Sequence, residues 1–186
     1  MTTTTTTPPF IGSFRADPVH SSFRFSVRHM GVGTFEASFD DVEAQLVIDD
    51  EGAALTGAAR VESISIRNPP EFREHVVHGA DFFDGANHPE ISFRADGATV
   101  GEDGEFSGSG ELTMRGVTRP VVASGHYRVP VRDPYGGLRT AVDIVAVVDR
   151  RDWGMDWQMP LPDGGDALGY EVEVRAHIEL VGQDGR

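Results

Sequence analysis

Cysteine is absent from all 186 residues, so a disulfide framework, thiol catalysis and a thiolate metal site are all closed to this chain. That fits a reducing compartment, and the cytoplasm is the expected location. Basic residues are scarce: 16 Lys and Arg stand against 30 Asp and Glu, a formal charge of -14. Nucleic acid or an anionic membrane surface would need a basic patch, so neither is expected as the main partner. The first ten residues, MTTTTTTPPF, lack both the basic start and the apolar run of a secretory signal or membrane span, and no membrane insertion is expected. Also missing are a Gly-x-Ser-x-Gly elbow, a phosphate-binding loop, a His-Glu-x-x-His pair and a nucleotide fingerprint.

The 39% hydrophobic content is enough for one core. Length points to a single domain over residues 10–186, preceded by a low-complexity, Thr-rich tail over residues 1–9 that is expected to be disordered. Apart from one segment, the chain reads as strands and turns. Ser21, Phe23, Phe25, Val27 and His29 share one face of a first strand; Phe35, Ala37 and Phe39 share one face of a second. From Val42 the apolar set becomes Val42, Ala44, Leu46 and Ile48, a change of parity at Asp40-Asp41 that predicts a β-bulge. A third strand is expected from Ala54 to Ile66. Later strands cover Glu90 to Ala95, Phe106 to Met114, Val121 to Val131, Leu138 to Asp149 and Tyr170 to Leu180, with Met155 to Gly169 as a long loop. The exception is Arg67 to Gly79, a predicted short helix with Asn68 as N-cap and Gly79 as its stop, closing or crossing one end of the sheet. About eight antiparallel strands without a βαβ rhythm indicate an all-β sandwich or barrel with one helical insertion.

Two groups of residues could carry function. His75 and His78, three apart on the helix, with His88 and Asp81 or Asp84, admit a metal-dependent hydrolase or isomerase; His75 falls on the apolar side, which favours a structural role. The larger group is an inward aromatic set: Phe23, Phe25, Phe35, Phe39, Phe82, Phe83, Phe93, Trp153 and Trp157, with His29 and Arg151 among it. His29 is in phase with the aromatics, and Arg151 could pair with Asp152 or meet a ligand head group. Periodicity alone fits a filled core, acting only as a docking module, as well as it fits a cavity.

Several stretches in order resemble the YceI family of lipocalin-like, polyisoprenoid-binding barrels. They are Asp17-Pro18-Val19-His20-Ser21 with Phe25-Ser26-Val27-Arg28-His29; Gly33-Thr34-Phe35; Ser63-Ile64; Arg73-Glu74-His75 with Asp81-Phe82-Phe83-Asp84; and His88-Pro89-Glu90-Ile91-Ser92-Phe93. Gly110-Glu111-Leu112-Thr113-Met114-Arg115-Gly116-Val117-Thr118 and Arg151-Asp152-Trp153-Gly154 complete the set. The chain departs from the pattern at Glu74, where Asp is usual, at Val76, where Leu is usual, and in lacking an export signal. The resemblance implies an eight-stranded antiparallel barrel around a long apolar tunnel, and a non-enzymatic protein that binds, carries or sequesters an isoprenoid, quinone or fatty-acid derivative. On that reading Val27, Ile91, Leu112 and Met114 join the aromatic set, His29 and Arg151 as ligand-binding residues. No other cofactor is implied, and homodimerisation is, with edge pairing as its physical route.

Overall fold

The computed structural model describes residues 11–50, 52–96, 99–100 and 103–183; the tail expected over residues 1–9 lies outside them. Its strands are β1 (Gly12–Ala16), β2 (Ser22–His29), β3 (Gly33–Phe39), β4 (Val42–Asp49), β5 (Gly52–Arg60), β6 (Glu90–Asp96), β7 (Thr99–Val100), β8 (Glu105–Met114), β9 (Val117–Arg132), β10 (Leu138–Asp149) and β11 (Leu168–Gly182). One helix, α1 (Pro70–His78), stands between β5 and β6. All pairings among these strands are antiparallel. The sequence β4-β5-β6-β8-β9-β10-β11 is closed by β1, which bonds β4 on one side and the end of β11 on the other, making an eight-stranded barrel. β2 continues along the first half of β11 where β1 leaves off, and β3 lies on β2. The end of β3 is tied by a bridge from Phe39 to Ile64.

Alternation decides which side chains enter the barrel. In β4, Val42, Ala44, Leu46 and Ile48 are buried and the residues between them largely exposed. The β8–β9 hairpin closes through Arg115 and Gly116, both at positive φ (51° and 69°), the two-residue turn whose twist matches that of the strands. Two strand glycines let aromatic rings lie across the sheet. A Cβ on Gly110 would sit 2.6 Å from the Phe93 ring, and one on Gly125 would sit 1.9 Å from the Asp143 carbonyl oxygen and 2.8 Å from the Phe106 ring. Phe14, Phe39, Val61, Val77 and Leu180 are the most completely buried side chains.

Three local expectations are corrected. The parity change at Asp40-Asp41 is a break between β3 and β4, because β3 is bonded to β2 while β4 is bonded to β1 and β5; two residues with outward polar side chains let the chain bend between partners. Register shifts lie instead at Arg139/Ala141 and Leu168/Val172. The third strand stops at Arg60, where a 3-10 turn (Val61–Ser63) buries Val61. Asn68 does not cap α1: Pro69, extended at φ -70° and ψ 155°, occupies that place without a side-chain bond, and Pro70 opens the helix where no N–H is needed. Gly79 does end the helix, its N–H donating to the His75 carbonyl.

The segment after β1 is fastened by one guanidinium. Arg139 donates to Asp17 (2.9 Å), Glu179 (2.7 Å) and Asp133 (3.3 Å). Arg139, aided by His20, holds the Asp17 carboxyl down to about 2 from an ordinary 3.8. The folded value lies below the unfolded one, so this contribution is complete above the unfolded value and disappears as pH falls through about 2. Arg139→Ala is expected to lower the melting temperature near neutral pH by roughly 2–4 °C. Calorimetry between about pH 4 and 2 should find the gap from wild type closing; a constant gap contradicts this account.

Candidate functional site

An apolar cavity of about 80 Å³ lies inside the barrel. Of the sequence-predicted residues, Phe23, Ile91, Phe93 and Leu112 wall it, together with Leu55, Ile144, Val174 and Ile178. Its space comes from small side chains at Ala44, Gly57, Ala59, Ala146 and Ala176. The volume is about half of the roughly 150 Å³ of an engineered core cavity that admits benzene.

At the end crossed by α1 the rings form two clusters. Phe39 stacks on Phe23 at 5.5 Å between centroids and meets Phe25 at 5.8 Å and Phe83 at 5.6 Å edge-on; Phe35 touches Phe25 and, at 5.7 Å, Phe72 of α1. The second cluster is His75, Phe82 and Trp157, with Phe82 5.5 Å from Trp157 and 5.0 Å from His75. The helix thus contributes to both, and Val76 and Val77 bury its inner side. Its outer side is moored by Arg73, which donates to the Glu62 carbonyl (2.6 Å) and carboxylate (2.8 Å). Val27, Met114 and Trp153 are buried, and the Trp153 indole donates to the Leu112 carbonyl at 3.3 Å.

Two predicted polar residues do not reach the interior. His29 is exposed: the inward row of β2 ends at Val27, and His29 pairs with Gly33 and Leu168 at the rim, where Met30 and Gly31 turn the chain at positive φ. Arg151 is also exposed. It grips Asp149, not Asp152, with Nη2 at 2.5 Å from Oδ2, and lies 4.1 Å over the Tyr170 ring. The inward arginine is its neighbour Arg150, 4% exposed. Arg150 donates to the carbonyls of Gly169 (2.8 Å), Met155 (2.5 Å), Trp157 (2.8 Å) and, more weakly, Leu168 (3.4 Å), so it knits both ends of the 155–169 loop to the barrel. Burial pulls its pKa down from the ordinary arginine value, and the carbonyls take the place of water around a group that stays charged. Parity contains part of the signal: Val142, Ile144, Ala146 and Val148 share one side of β10, and Arg150, the first residue of the 3-10 turn Arg150–Trp153, continues that row.

The helix histidines do not converge. His75 Nε2 lies 3.0 Å from Asp81 and His78 Nε2 lies 3.0 Å from Glu62, while His88 is 3.9 Å from Asp84. Among the described residues, the group whose ligand atoms come together is Asp17, His20 and Glu179, and its two carboxylates are already bonded by Arg139.

Arg150→Met should cost about 3–5 kcal/mol, since it strands buried carbonyls. Arg151→Met should leave the unfolding midpoint close to that of wild type, because its ion pair is exposed. Urea unfolding of the two variants separates these values, and equal costs would contradict the assignment.

A family model described as YceI-like domain matches residues 14–180. UPF0312 protein SA2479 of Staphylococcus aureus is 26% identical over 170 residues, spanning 90% of this chain and 96% of the relative. Among solved structures, BcnA of Burkholderia cenocepacia superposes with a TM-score of 0.69 at 18% identity, covering 88% of this chain and 98% of its own. A protein described as a polyisoprenoid binding domain from Saccharophagus degradans, implicated in plant cell wall breakdown, gives 0.66 at 14% identity, covering 93% and 99%. At these identities the solved structures speak for the fold, which they share with the barrel described above. The family match spans the barrel from Phe14 in β1 to Leu180 in β11, and the chain belongs to the YceI-like domain family.

Proposed function

We propose that this protein is a non-enzymatic carrier or sequestering protein that holds a long-chain isoprenoid, or a related quinone or fatty-acid derivative, inside its barrel. The observation that carries the reading is the apolar cavity, walled by aromatic and aliphatic side chains within a closed sheet. Each methylene moved from water into such a space contributes ~0.8 kcal/mol, so a few isoprene units offset the cost of association without a strong polar contact. Rings already in place at the α1 end, from Phe25 to Phe83, extend the same apolar surface beyond the cavity. The description of the Saccharophagus neighbour as a polyisoprenoid binding domain agrees with this reading.

Native mass spectrometry of the purified chain, before and after adding farnesol or palmitate, should find a bound amphiphile; a protein that stays empty in both cases refutes the proposal. The location is tested at Gly57. A Cβ there would meet only the Glu43 carbonyl oxygen at 3.5 Å and the Ala44 Cβ at 3.8 Å, so the position accepts a side chain. Gly57→Val should leave the melting temperature unchanged or raised, because a strand glycine costs roughly 0.5–1 kcal/mol. It should weaken tail binding about tenfold by filling space worth some two methylenes. Undiminished binding would place the tail outside this cavity.

A further inference from the structure

Four large apolar side chains stand exposed together at the α1 end. Met30 and Val32 form the tip of the β2–β3 hairpin, Met159 lies in the loop beside it, and Phe72 projects from α1. The backbone ties the two tips to each other. The Met30 N–H donates to the Ala167 carbonyl at 2.8 Å, the Ala167 N–H donates to the Met159 carbonyl at 2.9 Å, and a bridge from Pro160 to Asp166 closes the Met159 hairpin. Phe72 joins the same group through Phe35 of β3, at 5.7 Å between ring centroids. Single exposed apolar residues are ordinary, whereas a set gathered at one end marks a contact surface. This set is also continuous with the interior. From Phe72 and Phe35 the rings run to Phe25 (6.2 Å), Phe39 (5.8 Å) and Phe23 (5.5 Å), and Phe23 is a wall residue of the cavity. The opposite end exposes Val19, Val131 and Tyr135, but these are set around Arg139 and its partners Asp17, Asp133 and Glu179, charges that an apolar contact would strip of water.

Resting on the carrier reading, we propose that Met30, Val32, Phe72 and Met159 form a contact face for an uncharged lipid surface, and that the barrel takes up and releases its amphiphile there by collision. Every methylene that leaves a lipid surface for water is penalised, so a long tail moves more readily through a contact than through solution. The four side chains supply the apolar contact, and the row of rings continues it inward without a polar break. Charge decides which surface fits. Asp156, Asp163 and Asp166 are exposed around Met159, and the chain as a whole carries -14, so anionic head groups are repelled and a neutral or zwitterionic surface is accepted.

The test loads the full chain with tritiated geranylgeraniol, mixes it with sucrose-filled phosphatidylcholine vesicles and pellets the vesicles at intervals. In wild type the unloading rate should rise with vesicle concentration, whereas release through water proceeds at one dissociation rate whatever that concentration. Val32→Glu combined with Met159→Glu should unload about tenfold more slowly at high vesicle concentration, because each new charge must be desolvated in the contact. Tyr135→Glu, at the opposite end, should match wild type. All three positions are exposed, so melting temperatures and the affinity for farnesol in solution should stay at wild-type values; Val32→Ser with Met159→Ser repeats the test without added charge. Vesicles containing phosphatidylglycerol should be loaded more slowly, and salt should remove that difference. A wild-type rate independent of vesicle concentration, unslowed double variants, an equal loss in Tyr135→Glu, or faster unloading to the anionic vesicles overturns the inference and leaves the carrier reading in place. Wild type that takes up neither geranylgeraniol nor farnesol overturns the carrier reading and, with it, this one.

Discussion

A five-residue strand closes the barrel, and the interior exists because of it. β1 bonds β4 along one edge and the last turn of β11 along the other, with Phe14 at 1% exposure between them. Without it the sheet would have two open edges, and the apolar inner row from β4 round to β11 would face water. Closure obliges each strand to keep one residue in two pointing inward, so among the described residues the acidic side chains lie outside the apolar core and the buried Arg150 is the charged exception. The strand is short, and the chain beyond it is secured by the three carboxylates around Arg139.

Several of the stretches that carry the family resemblance are far apart in sequence but meet at the α1 end, whereas Asp17 and His20 lie beside Arg139 and Glu179. Arg115, in the β8–β9 turn, donates to the Gly154 carbonyl at 2.5 Å and to the Ala80 carbonyl at 2.7 Å, joining a hairpin, the Asp152-Trp153-Gly154 turn and the segment after the helix. Trp153 adds its bond to Leu112. These residues build a scaffold that ties the hairpin, the 3-10 turn and the segment after the helix together at one end of the barrel.

Much of the inner row was legible because alternation is local. Phe23, Phe25, Val27, Phe35 and Phe39 could be assigned to one side from spacing alone, and so could the row of β4. Arg150 was equally legible, in phase with Val148, but an aromatic-rich motif drew the choice to Arg151 one position on. His29 failed for a different reason: phase says which face a side chain takes, whereas whether that face is still inside depends on where β11 and β3 end. The cavity was not legible at all, since it arises where small residues of β4, β5, β10 and β11 come together, and no one segment announces the others.

By itself the sequence determined most of the strand pattern, β1 and the end of β5 excepted, the one α-helix with its glycine stop, the apolar and aromatic character of the inward face and, through ordered motifs, the family. Those properties depend on neighbouring residues and on hydrophobic period. Only the tertiary structure decided that β1 closes the ring, that the Asp40-Asp41 step is a change of partners, and that Arg150 binds four carbonyls. Each of these depends on groups brought together across strands remote in the chain, and hydrogen-bond satisfaction is a property of that meeting.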